Sequence, residues 1–470
     1  MLDLAIKLLI EKNRNKTTFE HISALSEARF RRILKYVLTK SAFYMDYYAS
    51  HGITVNDLQD LKLADLPFTN KQLLMDHFNQ VGCDPMLNQE NLTRYVEGNN
   101  DYASWYLNKY KIIKTSGSSG QYGFFPYNRR EWNTLKATTV LMNSVIKPNP
   151  LKKIKLAVIV DTRGMHAGVS LMADIPDFLY DILVIDIYEK QTQINDKLNA
   201  FQPDVISGYT HGIYLCALEQ LSSRISIQPL QVGCSGEKLI DEVRSVIAQA
   251  FQAPVTNLYA ASESICIASS TPTCPHLHIA YDWNLIESVD DNNHVNTGGQ
   301  IGNAVLTNLY NYSFPLIRYR MNDRIAMHLG SCPYCKSAFP VITTIEGRSE
   351  EYMKFIRADG SEEFLSCSII NLFDEPGIIM FRILQKERNF VEFQLVLSEG
   401  FTAREALLDK LNQKIKGLII SKNLENTLSY HFVLTDDIKR SEITGKFKYI
   451  ITFEDFLKDF KEEKDSIAVH

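Results

Sequence analysis

The sequence predicts a two-domain α/β protein, and three observations support this class. Between residues 154 and 209, short apolar runs alternate with helix-length segments, which is typical of βαβ units in a sheet covered on both faces. After residue 350 the pattern changes to alternating strands and one amphipathic helix. The chain of 470 residues is also longer than one hydrophobic core usually supports. We therefore expect a large N-terminal domain of layered sheets and helices, residues 1–349, and a small α+β C-terminal domain, residues 350–470.

The individual elements follow from the spacing of apolar residues. A leader over residues 1–80 is predicted to be helical, because Phe30, Ile33, Leu34 and Val37 recur at intervals of three or four. Continuous apolar runs predict strands, and a one-sided apolar stripe predicts a helix. The strands are expected at residues 155–160, 182–187, 204–207, 255–259 and 391–396, and the helices at 238–251 and 403–415.

Composition excludes several classes of function. The formal net charge is −5, and phosphate-backbone binding needs clustered Lys and Arg, so a nucleic-acid partner is not expected. No apolar run approaches the roughly 20 residues of a bilayer span, and the N-terminal apolar stretch carries Asp3 and Lys7. Eight cysteines in so long a chain favour a reducing compartment. We expect a soluble, cytoplasmic protein without a membrane partner.

The segment over residues 114–126 combines three glycines with four hydroxyl residues. Glycines let backbone N–H groups approach an anion, and hydroxyls add donors, so the segment is predicted to cradle phosphates. It lacks the Gly-Lys-Ser/Thr ending of the nucleoside-triphosphatase loop. A flexible Gly/Ser turn is the alternative. The residues that would contact phosphate are Thr115, Ser116, Gly117, Ser118, Ser119 and Gly120.

Polar residues follow the predicted strand at 255–259. Ligands of such sheets bind beyond the carboxyl ends of the strands, so Ser262 and Glu263 lie where chemistry is expected. Tyr209 stands in the same relation to the strand at 204–207 and is a candidate for the substrate pocket, as is Ala261.

Six short motifs occur in the order found in the adenylate-forming superfamily of acyl-CoA ligases, which the chain resembles. They begin at Thr115, Gly236, Tyr259, Arg318, Gly347 and Gly445. The segments at 41–44, 65–71, 202–209 and 314–320 resemble the phenylacetate–CoA ligase-like branch. The resemblance covers nearly the whole chain. Two short sequences depart from the usual family pattern, namely Ala-Ala-Ser-Glu at 260–263 and Met-Asn-Asp at 321–323.

The resemblance implies a role for each matching residue. Residues 115–120 would hold the β- and γ-phosphates of ATP, Ser262 would touch the α-phosphate, and Glu263 would hold Mg²⁺. Lys446 would enter the site from the C-terminal lid and bridge substrate carboxylate and α-phosphate, and Glu350 would be the hinge acid. The remaining nucleotide contacts are expected from Gly236, Glu237, Tyr259, Asp323 and Arg348.

A second constellation has the spacing of a structural zinc site. Cys332 and Cys335 are separated by two residues, and Cys274 with His278 would complete four N/S ligands on the connections over residues 270–345. His278 is preferred over His276 because its surroundings resemble the family text. The alternative is three reduced thiols without an ion.

The function implied is ATP- and Mg²⁺-dependent activation of a small carboxylic acid as acyl-adenylate, followed by transfer to a thiol, that of coenzyme A. One alternative delivers the acyl group to the phosphopantetheine of a separate carrier protein, or to an amine. Another is a nucleotide-binding homologue without turnover, suggested by the two departures from the family texts. A homodimer is left open.

Overall fold

A computed structural model describes residues 17–99, 101–115, 123–143, 146, 152–162, 167–175, 177–187, 189–348, 353–365, 375, 377–439, 447–453 and 455–457. The chain divides into two compact units. The described residues up to Met321 and those of Ile325–Ile345 form the larger unit. Asn322–Arg324 and the described residues from Glu346 to 439 and from 447 onward form the smaller one.

The larger unit begins with helices whose starts are set by capping side chains. Thr18, Ser41, Asn70 and Asn88 each accept a hydrogen bond from a backbone N–H of the first turn that has no partner within the helix. The helices are α1 Phe19–Lys40, α2 Ala42–Ala49, α3 Lys71–Asp76, α4 Phe78–Val81 and α5 Gln89–Glu97, with 3₁₀ turns at Val55–Asp57 and Leu63–Asp65. Within the predicted leader, α-helices occupy residues 19–40, 42–49 and 71–76, with 3₁₀ turns between the second and third of them.

A two-stranded antiparallel hairpin and a helix follow. They are β1 Tyr110–Lys114, β2 Phe124–Asn128 and α6 Arg129–Asn143. The alternating part of the larger unit consists of β3 Ile154–Val160, α7 Ala167–Met172, β4 Tyr180–Asp186, α8 Gln191–Phe201, β5 Val205–Tyr209, α9 Thr210–Leu221, β6 Gln231–Ser235, α10 Asp241–Phe251 and β7 Val255–Ala261.

The rest of the large sheet is antiparallel where its pairing is described. Its strands are β8 Ser264–Thr271, β9 Cys274–Ile279, β10 Asn284–Val289, β11 Gly302–Asn308, β12 Tyr319–His328 and β13 Val341–Arg348. The eleven strands are ordered β10-β11-β12-β13-β9-β8-β7-β6-β5-β3-β4. Strands β3 to β7 pair in parallel, as the alternating pattern predicts. Strands therefore occupy much of the range 270–345, in which the sequence suggested loops.

Two apolar clusters hold the larger unit together. One joins the N-terminal helices to the β1–β2 hairpin and the antiparallel strands, and it buries Tyr44, Tyr48 and Trp132 completely. The other lies around the parallel strands and includes Ile159 and Ile206. Apolar burial of this kind, at about 25 cal/mol per Å², is the main favourable contribution to folding.

The smaller unit is α+β, as predicted. It contains β14 Met353–Ile356, β15 Glu362–Leu365, β16 Ile378–Glu387, β17 Phe390–Leu397, α11 Arg404–Ser421, β18 Ser429–Leu434 and β19 Ile450–Ile451. Four of the strands form a sheet in the order β18-β17-β16-β19. Across the described part of the chain, no helix combines the length and apolar character needed to cross a bilayer.

Candidate functional site

Several predicted site residues fall outside the described part of the chain. The described residues include the start of the phosphate segment and the turn after β7. Outside them lie Ser116, Gly117, Ser118, Ser119, Gly120, Glu350 and Lys446, and the side chain of Arg348 is likewise not described. The roles of these residues stay predictions.

Two hydrogen bonds between Thr115 and Gly123 close the base of the predicted phosphate segment, and we call this pair the neck. The N–H of Thr115 donates to the carbonyl of Gly123 at 2.9 Å, and the N–H of Gly123 donates to Oγ1 of Thr115 at 2.7 Å. Space here is tight, because a Cβ at Gly123 would lie 3.3 Å from Cε of Lys71 and 3.1 Å from the Phe125 ring. The aliphatic end of Lys71, from the distant 65–71 segment, therefore lies beside Gly123.

The turn between β7 and β8 presents Ser262 and Glu263, and buried groups hold its backbone. The hydroxyl of Tyr127, on β2, donates to the carbonyls of Ser262 at 2.8 Å and Glu263 at 3.0 Å. Asn308 donates to the Glu263 carbonyl at 3.3 Å. The next residue, Ser264, donates to Asn284 at 2.8 Å. Strand β2, which follows the phosphate segment, is thereby tied to the turn that carries Glu263.

The Glu263 side chain is held separately from its backbone. Its Oε1 accepts a hydrogen bond of 2.9 Å from the hydroxyl of Tyr319, the first residue of β12. Tyr319 is 2% exposed, and burial, followed by the negative charge of Glu263 and the hydrogen bond to it, raises the pKa of this phenol well above its usual range. Tyr319 therefore remains a protonated donor. We did not predict this role, although Tyr319 lies within the 314–320 segment and directly follows Arg318, where one of the six motifs begins.

Tyr319 is fixed in place by the segment at residues 64–70. Thr69 forms a bridge with Tyr319, in which the Thr69 N–H donates to the Arg318 carbonyl at 2.9 Å and the Arg320 N–H donates to the Thr69 carbonyl at 2.8 Å. The ring of Phe68 lies 4.0 Å from the Arg318 guanidinium and 4.3 Å from that of Arg320. Two of the branch-like motifs thus meet at the start of β12.

The other predicted contacts of the larger unit lie at the carboxyl ends of the parallel strands. Tyr209 ends β5 and is 9% exposed, while Tyr259 and Ala261 are partly buried on β7. Gly236, with φ of +75°, makes the turn after β6. The carboxylate of Glu237 accepts the N–H of His211, the second residue of α9, at 2.7 Å.

The interaction of Glu237 shows what this residue does within the fold. A carboxylate at the start of a helix satisfies a backbone donor and complements the helix dipole. Thr210 also donates to the Glu237 carbonyl at 3.3 Å. Glu237 therefore joins the turns after β5 and β6, and its predicted contact with nucleotide stays a prediction.

The predicted ribose residue Asp323 is described within the smaller unit. It lies on β12 and is partly buried. Its neighbour Arg324 forms an ion pair with Glu346 at 3.4 Å.

The four predicted metal ligands lie together. One ligand atom from each of Cys274, His278, Cys332 and Cys335 falls within 4.8 Å of the others. The Cys274 and Cys332 sulfurs are 3.7 Å apart, close to the edge of about 3.8 Å that a tetrahedron with 2.3 Å Zn–S bonds requires. Nε2 of His278 is 3.1 Å from the sulfur of Cys335.

The pKa values of two thiols in this cluster shift in opposite directions, and burial raises that of Cys274 to about 12. Burial raises the pKa of the Cys332 thiol, but donation from the N–H groups of Cys335 and Tyr334 and from the neighbouring thiols outweighs it, so the net shift is downward. His276 is also near, with Nδ1 3.8 Å from the Cys332 sulfur. Three sulfurs and one imidazole form a donor set that structural Zn²⁺ prefers.

Known proteins were compared with the chain at the level of sequence and of structure. No protein-family model matches it. It is 22% identical over 442 residues to Protein CapK of Staphylococcus aureus, covering 88% of this chain and 89% of that protein. It is also 22% identical over 347 residues to a phenylacetate-coenzyme A ligase of Thermus thermophilus, covering 71% of this chain and 72% of that enzyme.

Solved structures of two acyl-CoA ligases have a similar fold. A 2-hydroxyisobutyryl-CoA ligase, in the postadenylation state with R3-HIB-AMP, superimposes with a TM-score of 0.73 at 17% identity, covering 97% of this chain and 94% of that one. Anthranilate CoA ligase AuaEII, with anthranoyl-AMP, gives 0.54 at 12% identity and coverage of 76% and 67%. The chain thus has the adenylate-forming fold. Within that fold class, the resemblance to the phenylacetate–CoA ligase-like branch is confirmed by the Thermus relative.

Proposed function

We propose that this protein activates a small carboxylic acid with ATP and transfers the acyl group to coenzyme A. In the first step a carboxylate oxygen attacks the α-phosphorus, and pyrophosphate leaves. In the second the thiol sulfur attacks the acyl carbon, the thiol proton is lost and AMP leaves. The acid is ionised at neutral pH, so the protein needs to orient it and to stabilise phosphate charge rather than to supply a general base.

The observation that carries the proposal is the rigidly supported Glu263 at the carboxyl end of β7. Its backbone is held by Tyr127 and its carboxylate by Tyr319. A carboxylate oxygen is a hard ligand of the kind that Mg²⁺ takes from proteins, usually one or two beside water and substrate phosphates. Bound there, Mg²⁺ would neutralise the charge of the ATP phosphates. The residues present therefore fit the ion.

Other residues divide the remaining tasks in this proposal. Thr115 and the residues up to Gly120 would contact phosphate, with the Thr115–Gly123 neck fixing where the segment begins. Tyr209 and Ala261 would line the acyl pocket, and the ribose hydroxyls would be bound by Asp323. Supporting this division, Tyr209, Ala261 and Glu263 all lie at or just beyond the carboxyl ends of parallel strands, where ligands of such sheets bind.

We further propose that Cys274, His278, Cys332 and Cys335 hold a structural Zn²⁺. All four positions of a tetrahedron would be filled by protein, which leaves none for a substrate. The site would join the two ends of β9 to the connection between β12 and β13. If this role is correct, loss of zinc should lower the stability of the fold, and zinc should take no part in the catalytic steps.

The proposed function is tested by pyrophosphate exchange. Purified protein, ATP, MgCl₂ and labelled pyrophosphate are incubated with single acids from aromatic, fatty, hydroxy and amino acid classes. Exchange that depends on one class supports adenylation, and ATP binding without exchange for any class contradicts it. Adding coenzyme A, or a phosphopantetheinylated carrier protein, to the active mixture then distinguishes the thiol acceptors by thioester formation.

A further inference from the structure

We propose that Tyr319 is a positioning residue that fixes the orientation of the Glu263 carboxylate and thereby sets the affinity of the site for Mg²⁺. This inference rests on the proposed function, since it concerns the ion that accompanies ATP. The resemblance of the 314–320 segment to the family branch does not by itself give Tyr319 this role.

The first support is the contact itself. The Tyr319 hydroxyl lies 2.9 Å from Oε1 of Glu263 and is a phenol buried to 2% exposure. A hydrogen bond to an ionised acceptor is roughly twice as strong as one between neutral groups. Because the ring is enclosed, the hydroxyl oxygen has a fixed position, and its hydrogen bond restrains the carboxylate of Glu263.

The second support is that both partners are themselves anchored. The Glu263 carbonyl accepts bonds from Tyr127 and Asn308, so the carboxylate is attached to a fixed backbone. Tyr319 is bridged to Thr69 on the other side. The main-chain positions from which the phenol and the carboxylate extend are therefore both held by hydrogen bonds.

The third support is that two buried tyrosines contact different parts of residue 263. Tyr127 and Tyr319 are both almost fully buried, and both donate to residue 263. Tyr127 holds the main chain, whereas Tyr319 holds the carboxylate. If Tyr319 acts on the ion and not merely on the fold, removing the two hydroxyls must have different consequences.

The test compares Tyr319→Phe with Tyr127→Phe in the full chain. Calorimetry measures ATP binding at MgCl₂ concentrations from 0.01 to 30 mM and in EDTA, and thermal unfolding is followed in parallel. We expect Tyr319→Phe to raise the Mg²⁺ concentration for half-maximal enhancement of ATP binding about tenfold, the effect of roughly one charge-assisted hydrogen bond. ATP binding in EDTA should remain at the wild-type level. In Tyr127→Phe the Glu263 carbonyl still accepts from Asn308, so we expect a lower melting temperature but a Mg²⁺ requirement within twofold of wild type.

A double-mutant cycle keeps the test decisive if Tyr319→Phe also lowers stability. In Glu263→Gln the carboxylate that Tyr319 orients is gone, so adding Tyr319→Phe should produce no further change in the Mg²⁺ requirement. Equal shifts in Tyr127→Phe and Tyr319→Phe, or additive effects in the cycle, would overturn the proposal.

The outcome is separable from that of the proposed function. A wild-type protein without pyrophosphate exchange but with a Tyr319-dependent Mg²⁺ effect on ATP binding rejects the activity and supports the positioning role. Exchange-competent protein whose Mg²⁺ requirement is unaffected by Tyr319→Phe rejects the positioning role alone.

Discussion

Arg318 and Glu287 form a buried ion pair with two hydrogen bonds of 3.1 Å each, between Nε and Oε2 and between Nη2 and Oε1. Their side chains are 4% and 9% exposed. Arg318 also donates to the carbonyls of Ala64 and Leu66, at 2.8 and 2.6 Å. One guanidinium therefore joins strand β10, the start of β12 and the 64–70 segment, next to the tyrosine that holds Glu263.

Removal of this guanidinium should be strongly destabilising. We expect Arg318→Met to lower the free energy of unfolding by about 3–5 kcal/mol, because a buried carboxylate loses its counter-charge. Burial already raises the pKa of Glu287, and Arg318 opposes that rise. Without Arg318 the pKa should rise further, so the folded state would bind a proton more readily than the unfolded chain, and the loss should grow as pH increases from about 5. Urea unfolding at pH 5 and 8 measures both effects.

Arg320→Met is the matched control for this prediction. Arg320 belongs to the same motif and lies over the same Phe68 ring, but it is less buried and bonds to Asn293 rather than to a carboxylate. We expect a loss of about 1 kcal/mol or less, as for other partly exposed contacts. If both variants lost the same free energy of unfolding, the Arg318–Glu287 ion pair would contribute no more to stability than the contacts of Arg320.

The fold was predictable from the sequence where the signal is local. The strands at 155–160 and 255–259 are observed as β3 and β7, extended by one and two residues, because an apolar run between polar ends marks a buried strand. The helix expected at 238–251 begins instead at Asp241. Ile240 has extended backbone angles and precedes the first turn, so the apolar stripe continues beyond the helix and does not mark its start.

Individual candidate residues of the site could be proposed from the sequence, but the contacts between them could not. Glu263 could be named because it follows a strand and matches a motif. Its partner Tyr319 is 56 residues away along the chain, and their meeting depends on the pairing of distant strands. Nothing in local periodicity specifies which strands pair. The cysteine pair at 332 and 335 was easier, because its spacing alone indicates a metal ligand pair.

Removal of the proposed zinc should lower stability. Protein purified with zinc present should contain one zinc per chain by plasma mass spectrometry, and Cys332→Ser should contain none. We expect the melting temperature of that variant to fall by about 5 °C or more, corresponding to a loss of a few kcal/mol. Cys83→Ser, which changes a partly buried thiol outside the cluster, should keep its zinc. Zinc-free wild-type protein of unchanged melting temperature would exclude a structural metal.

Asp84 should contribute stability that disappears in acid. Partial burial raises its pKa, but hydrogen bonds from Lys109, Tyr110 and the Met86 N–H outweigh burial and lower the pKa to about 2. The folded state then binds fewer protons than the unfolded chain, whose aspartates titrate near 3.9. The contribution is present above about pH 5 and is lost as pH falls towards 2.

Asp84→Asn tests this linkage. At pH 7 the variant should be less stable than wild type, and the difference should narrow as pH decreases from 5 through the range in which both proteins fold. Urea unfolding at several pH values provides the comparison. Lys109→Met keeps the carboxylate while removing its cation. Its difference from wild type in free energy of unfolding should therefore also decrease as pH falls, but by less than for Asp84→Asn. A pH-independent difference for Asp84→Asn would show that its pKa is not depressed.

Lys446 should be required for adenylation and dispensable for folding. The resemblance places a lysine here that stabilises the charge shared by the substrate carboxylate and the α-phosphate, and loss of such a group commonly reduces turnover by about 100- to 1000-fold. We expect Lys446→Ala to lose pyrophosphate exchange by that factor with an unchanged melting temperature. Lys448→Ala is the control, since Lys448 lies two residues away and pairs with Asp455 at 3.0 Å. Its exchange rate should stay within threefold of wild type. Exchange that survives in Lys446→Ala would mean that the charge on the α-phosphate is stabilised by other groups, and the proposed role of the smaller unit in the first half-reaction would have to be abandoned.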